Sequence, residues 1–350
     1  MTNRTANQPI IIPPTSTLLF SSNFAGAISL NPSTSASIFV GTDSETGQLF
    51  PINNGTHQGG LGLRNVTIIR IANGASVADI AANQNSYAFA AIQNTTGPDN
   101  TTEKELFLEL RDTGFIKTGS NTPWGGQTHL MMERITTGTD VAALADLDDV
   151  YFSYYFKRPA ALLTSMAVGE RTTQWDFKTG GYNNTFGGSM RILGYLQKAA
   201  DGNLYSVTKA DRDANANPPI APDGISPFPY VSGSPGATYW DEFDTTTAIP
   251  LDVWNKLEVY IHKHNKNGIC LVAYNDVIVC AHVGRTRSEY ADLYGEDWGR
   301  MFLFSVYSGN SLSNPGLTSG SMCRLRIHNY PPPGSVLQMP AANLLYRYAA

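Results

Sequence analysis

The stretch from Trp254 to Gly268 carries the densest chemistry in the chain. Leu257, Val259 and Ile261 alternate with Lys256, Glu258, Tyr260, His262 and His264, which is the period of a β-strand with one face buried and the other equipped with polar groups. Imidazole and phenol are suited to proton transfer, the first taking a proton from carbon and the second giving one to a leaving oxygen. Guanidinium and ammonium groups neutralise a carboxylate beside a developing carbanion. On these grounds His262 or His264 as base, Tyr205 or Tyr260 as acid, and Arg191 or Lys178 as neutralising cation make up a candidate site for β-elimination on a uronate. A purely binding site needs only flat rings for sugar faces and polar groups for hydroxyls. Trp175, Tyr182 and Trp240 supply candidate rings, and His264 and Asn265 candidate hydrogen-bonding groups.

Other chemistries find less support. A glycosidase needs two carboxylates flanking the scissile bond, yet Asp146-x-Asp148 breaks off at Val150 and Asp241-Glu242-Phe243-Asp244 falls in a loop-rich stretch. These are read as solvated loop carboxylates, with structural calcium the alternative and the metal otherwise unassigned. No zinc-ligand spacing or phosphate loop is present; Gly59-Gly60-Leu61-Gly62 lacks a strand-to-helix context, and His57 and His129 are isolated and read as structural. The 350 residues carry 24 Lys and Arg against 29 Asp and Glu, a net charge of −5 with no basic block. That balance argues against nucleic acid and against anionic membrane as partners. Hydrophobic residues make up 42%, too many for a disordered chain. No apolar run approaches the roughly 20 residues of a membrane-spanning helix.

Strand-length segments rich in aromatic and β-branched residues alternate with Gly, Asn, Pro and Ser turns, the pattern of an all-β sandwich. The clearest are 150–157, 175–178, 189–196, 204–207, 256–264, 269–274, 277–282, 301–308 and 323–330. Residues 139–146 are the one helical possibility, and 199–250 reads as long loops over one sheet. Residues 1–19 read as an extended proline-bearing arm, 20–330 as a single sandwich domain, and 331–350 as a tail after Pro331-Pro332-Pro333-Gly334. The first residues lack the apolar core of a secretory signal. The sequons at Asn54, Asn65, Asn94, Asn100 and Asn184 are accordingly by-products of an Asn- and Thr-rich composition. Three cysteines are too few for a disulfide scaffold. A two-residue turn at Asn275-Asp276 sets Leu271 opposite Cys280, which places Cys270 and Cys280 on opposite faces with no bond expected.

The order of motifs after residue 148 resembles the concanavalin A-like jelly-roll polysaccharide lyases and their carbohydrate-binding relatives. The resemblance is carried by Asp148 to Lys157, Phe177 to Tyr182, Ser189-Met190-Arg191-Ile192 before Asn203-Leu204-Tyr205, the Trp254-led strand, the hairpin from Ile269 to Cys280, Arg285, and the strand from Trp298 to Gly309. Phe20 to Phe24 fits as a first strand. The family's Gly-Gly-Lys-Leu-Pro-Gly loop is replaced by Lys178-Thr179-Gly180-Gly181-Tyr182-Asn183. The resemblance implies two antiparallel sheets bent into a groove for a polysaccharide or cell-surface glycan. The expected function is lectin-like glycan recognition, with display on a virus particle or other assembly surface. A polysaccharide lyase and a non-catalytic virion protein are the alternatives. Assembly would act through the terminal arms, which bind a second copy or other virion proteins.

Overall fold

The computed structural model describes residues 15–26, 29–32, 37–45, 49–50, 63–70, 88–110, 127–134, 149–179, 190–212, 238–287, 298–307 and 318–338. The early strands are β1 (Leu18–Ser22), β2 (Ser29–Pro32), β3 (Ser37–Thr42), β4 (Leu49–Phe50), β5 (Leu63–Arg70), β6 (Ala88–Thr96), β7 (Thr102–Leu110) and β8 (Gln127–Arg134). Next come β9 (Asp149–Lys157), the short helix α1 (Ala161–Ser165), β10 (Arg171–Thr179), β11 (Met190–Lys198), β12 (Leu204–Arg212) and β13 (Thr238–Phe243). The last are β14 (Asn255–His262), β15 (Gly268–Tyr274), β16 (Val277–Gly284), β17 (Trp298–Tyr307) and β18 (Thr318–His328).

Two antiparallel sheets hold most of them. The first runs β16-β15-β14-β9-β18-β7-β6 with β1 added on β18; the second runs β13-β12-β11-β10-β17-β8-β5, and β2-β3-β4 form a small separate sheet. Period-two alternation explains the layering. Val150, Phe152, Tyr154 and Phe156 of β9, Leu257, Val259 and Ile261 of β14, and Leu106, Leu108 and Leu110 of β7 leave the first sheet on one side. They share a single core with Trp175, Phe177, Ile192, Leu196, Phe304 and Val306 of the second. At about 1.5–3 kcal/mol for each large side chain removed from water, this shared face is what holds the sheets together. The architecture is an all-β jelly-roll sandwich, the sandwich as the alternation predicts and the jelly roll as the resemblance implies.

Several expectations need correction. Within 199–250, read as loops apart from a strand at 204–207, β12 runs on to Arg212 and β13 adds Thr238–Phe243, while residues 213–237 lie outside the described residues. The outward residues of these two strands, Lys209, Asp211 and Asp241, make the sequence look solvated, while Ala210 turns into the core. The thiols of Cys270 and Cys280 do not lie on opposite faces. A bulge near Val279 pairs Val272, not Leu271, with Cys280, so both cysteines enter the same core and the Cys280 thiol lies 3.7 Å from the Cys270 carbonyl. All three cysteines are free and buried.

The described part of the N-terminal arm leads into a strand: Leu18 and Leu19 begin β1, which pairs with β18, and Thr17 and Asn329 exchange hydrogen bonds. Residues 1–14 and 339–350, on which binding of a neighbour by the arms was expected, lie outside the described residues, as do the 139–146 helix and Tyr182.

Candidate functional site

Each sheet has an outer face, and the expected site residues divide between them. On the second sheet, Met190, Ile192 and Leu196 point into the core, so Arg191, Leu193, Tyr195 and Gln197 point out. The register brings partners to this outer face from both neighbours. Arg191 is opposite Asp211 and Lys178, Tyr195 opposite Val207 and Thr173, and Gln197 opposite Tyr205 and Arg171.

One row of positions crosses six strands: Asp211, Arg191, Lys178, Arg300, Glu133 and Arg64. Within it the Arg191 guanidinium donates to both oxygens of Asp211, at 2.6 and 3.1 Å. Lys209 reaches the same carboxylate at 3.0 Å.

Nearer the other end of the face, Arg171 donates from Nε to Gln197 Oε1 at 2.7 Å and from Nη1 to Asp241 Oδ2 at 3.2 Å. Its guanidinium lies 5.7 Å from the centre of the Tyr195 ring. Burial pushes the Tyr195 phenol up to about 12, so at neutral pH it is a proton donor and not an anion. Tyr205 lies at this end too, its hydroxyl donating to Asp201 Oδ2 at 2.6 Å. The same loop carboxylate raises the Tyr205 pKa.

The outer face of the first sheet is different in character. Tyr151, Tyr260, Ile269, Leu271 and Ala273 form a second apolar cluster, and Tyr330 and Leu337 from the segment after β18 cover it. Asp149, which the sequence reading did not single out, organises the polar groups at its edge. Its Oδ1 accepts from the Tyr260 hydroxyl at 2.6 Å and lies 3.0 Å from His262 Nδ1. An ionised carboxylate at that distance holds the proton on Nδ1, leaving Nε2 as the lone-pair nitrogen. His264 cannot hold its ring the same way. Its Nδ1 accepts from the backbone N–H groups of Lys266 and Asn267, at 3.1 and 2.8 Å. Asn265 sits half-buried in that turn.

The expected elimination site is therefore not assembled as drawn. His262, His264 and Tyr260 are on the first sheet; Arg191, Lys178 and Tyr205 are on the opposite outer face, across the core. Tyr260 is fully buried beneath Tyr330, with ring centres 5.4 Å apart, and cannot meet a substrate. Trp175 is corrected as well. It is fully buried edge-on to Phe152 and Phe177 in the inter-sheet core, where its period-two position points it.

Trp240 closes a seam between the edges of the sheets. Its indole N–H donates to the Arg285 carbonyl at 2.7 Å, and its ring stacks on His282 with centres 3.9 Å apart, so a sugar has no free use of that face. Glu242 completes the seam, 2.8 Å from His282 Nδ1. Asp241 and Glu242 are thus strand residues with partners, not solvated loop carboxylates. Among the described residues no group of three His, Cys, Asp or Glu is placed to hold a metal ion.

The seam gives a pH prediction. The hydrogen bond from His282 holds the Glu242 carboxyl below its ordinary value of 4.5. Near that pH the unfolded chain binds more protons than the folded one, so stability rises with pH there and is lost as pH falls through the lowered value. Glu242→Gln is expected to flatten the acid limb of stability between about pH 5 and 3, read from urea midpoints across that range.

Residues that the sequence reading missed on the second sheet are Arg171, Tyr195, Lys209, Asp211 and Phe243, together with the positions of Arg300 and His129. His129 pairs with Ser305 two residues from Met131, which pairs with Phe302. Since Leu130 points into the core, position 129 is on the same outer face as Arg191. The signal was present: Arg191-x-Leu193-x-Tyr195-x-Gln197 and Tyr205-x-Val207-x-Lys209-x-Asp211 alternate, and the Asp201-Gly202 turn between them sets the register.

No family model and no curated protein sequence matches this chain. Among solved structures it is similar to alginate lyase Aly36B with alginate tetrasaccharide, at TM-score 0.41 and 12% identity over 75% of this chain and 96% of that one. It is similar also to alginate lyase vAL-1 from Chlorella virus, at TM-score 0.40 and 11% identity over 73% and 98%. A GH131 β-glucanase catalytic domain from Podospora anserina aligns at TM-score 0.34 and 13% identity over 77% and 87%.

Proposed function

We propose that this protein binds an acidic glycan on the outer face of its second sheet. The observation that carries the reading is the charged row. Like charges on directly opposite strand positions repel, yet Arg191, Lys178 and Arg300 occupy neighbouring positions, with Asp211 and Glu133 at the flanks of the row and Asp176 two residues along from Lys178. In a chain of net charge −5, three cationic positions side by side on one face form a local field that an anionic ligand relieves. Gln197, Asp241 and the neutral Tyr195 phenol are suited to sugar hydroxyls.

Retention on immobilised heparin, alginate and pectin, compared with neutral dextran, tests this. Retention on the acidic polymers should weaken as salt rises, and Arg191→Gln should reduce affinity about tenfold by removing a charged hydrogen-bonding group. Equal retention on dextran and the acidic polymers would overturn it.

A further inference from the structure

We infer that Phe243 and Tyr205 form a stacking platform for a further sugar ring at the end of the face remote from the charged row, so that the ligand is an oligosaccharide spanning both. The inference rests on the acidic-glycan reading of that face and adds to it a second contact region of different chemistry.

Phe243 is 41% exposed and is the one aromatic among the large exposed apolar side chains of the described residues. A single exposed apolar side chain is ordinary; what sets this one apart is a second aromatic ring fixed beside it. It lies opposite Val207, which puts it on the same outer face as Arg191 and Tyr195. The ring is held from one side. Tyr205 meets it edge to face, with centres 6.5 Å apart and planes at 82°.

Tyr205 is itself fixed by the 2.6 Å hydrogen bond to Asp201, whose carboxylate also accepts from the backbone and side-chain nitrogens of Asn203 at 3.0 and 2.9 Å. Two aromatic rings fixed before a ligand arrives lose little freedom on binding. Polar groups stand beside them as sugar recognition requires: Arg171, tied to Gln197 and Asp241, occupies the next positions on the face.

The distance selects the ligand's size. The charged row is at Arg191, whereas Phe243 is opposite Val207 and so level with Tyr195, four residues along β11 and two strands across. Four residues of strand rise about 13 Å and two strand spacings add about 10 Å sideways, more than one sugar can bridge. A ring stacked on Phe243 while a carboxylate or sulfate sits at Arg191 therefore belongs to a chain of several sugars.

Isothermal titration with a uronate disaccharide and a uronate hexasaccharide cut from alginate, repeated with the matching heparin fragments, tests this. Wild-type protein should bind the hexasaccharide about tenfold more tightly than the disaccharide, and Phe243→Ala should erase that difference while leaving the disaccharide affinity unchanged. Arg191→Gln should weaken both ligands. Because Phe243 is exposed, its replacement should leave the thermal midpoint in place, which separates loss of contact from loss of fold. If Phe243→Ala keeps the full length preference while Arg191→Gln weakens both ligands, the platform is refuted and the charged row stands. If wild-type protein binds none of the fragments, both fall.

Discussion

Arg158→Met should lower the free energy of unfolding by about 3 kcal/mol, read as a shift of the urea midpoint at unchanged slope. The guanidinium is completely buried between the sheets, its face 4.7 Å from the Phe304 ring. Burial pulls it down to about 10, so it remains charged at neutral pH. No carboxylate among the described residues pairs with it. It donates instead to Gln174 Oε1 from Nε and Nη2, at 3.1 and 2.8 Å, and to the carbonyls of Ser305 and Ser319, at 2.5 and 3.2 Å.

Those acceptors belong to β10 and β17 of the second sheet and β18 of the first, so one side chain links the two layers. Two effects oppose each other in the variant. Methionine removes the desolvation cost of a buried cation, but it strands the buried Gln174 Oε1 and Ser305 carbonyl, at about 1–3 kcal/mol each, and the half-buried Ser319 carbonyl. The second is larger because two fully buried acceptors and a half-buried one are orphaned and one charge is released. An unchanged midpoint would mean that the two balance, and that Arg158 contributes orientation of the sheets and no net stability.

Gly194→Ala should cost about 3 kcal/mol and shift the tryptophan emission. A Cβ built on Gly194 would stand 2.2 Å from Trp175 Nε1 and 2.4 Å from Cε2. Trp175 is fully buried between Phe152 and Phe177 and cannot swing aside into solvent. The indole lies directly across the β11 backbone, which is why Gly194 breaks an otherwise apolar run of inward residues. The double variant Gly194→Ala, Trp175→Phe should recover part of the loss, because a smaller ring leaves room for the methyl group. A single variant as stable as wild type would show that the indole relocates without penalty.

Which residues are strand, and which side of each strand is core, was legible along much of the chain. Leu257, Val259 and Ile261 face the core as their alternation requires, and strands appear at all nine of the segments marked from composition. What failed was any inference that needed two strands at once. The Cys270 and Cys280 register went wrong through one bulged residue, since a shift of one position reverses every facing. The continuation of β12 past 207 and the whole of β13 were misread because charged outward residues look like loop until a partner strand is known. The candidate site suffered most. His262, Tyr260, Arg191 and Tyr205 were grouped by side-chain type, but two belong to one outer face and two to the other.

The sequence by itself determined the secondary structure type, the two-layer class and the chemical inventory, because period-two burial is a local property of the chain. Only the tertiary structure decided which side chains share a surface. It aligned Asp211, Arg191, Lys178 and Arg300 on adjacent strands, sank Trp175 and Tyr260 out of reach, and left Phe243 exposed. Strand order and register are set by pairings between segments far apart in sequence, and a local pattern does not encode which distant strand will be its neighbour.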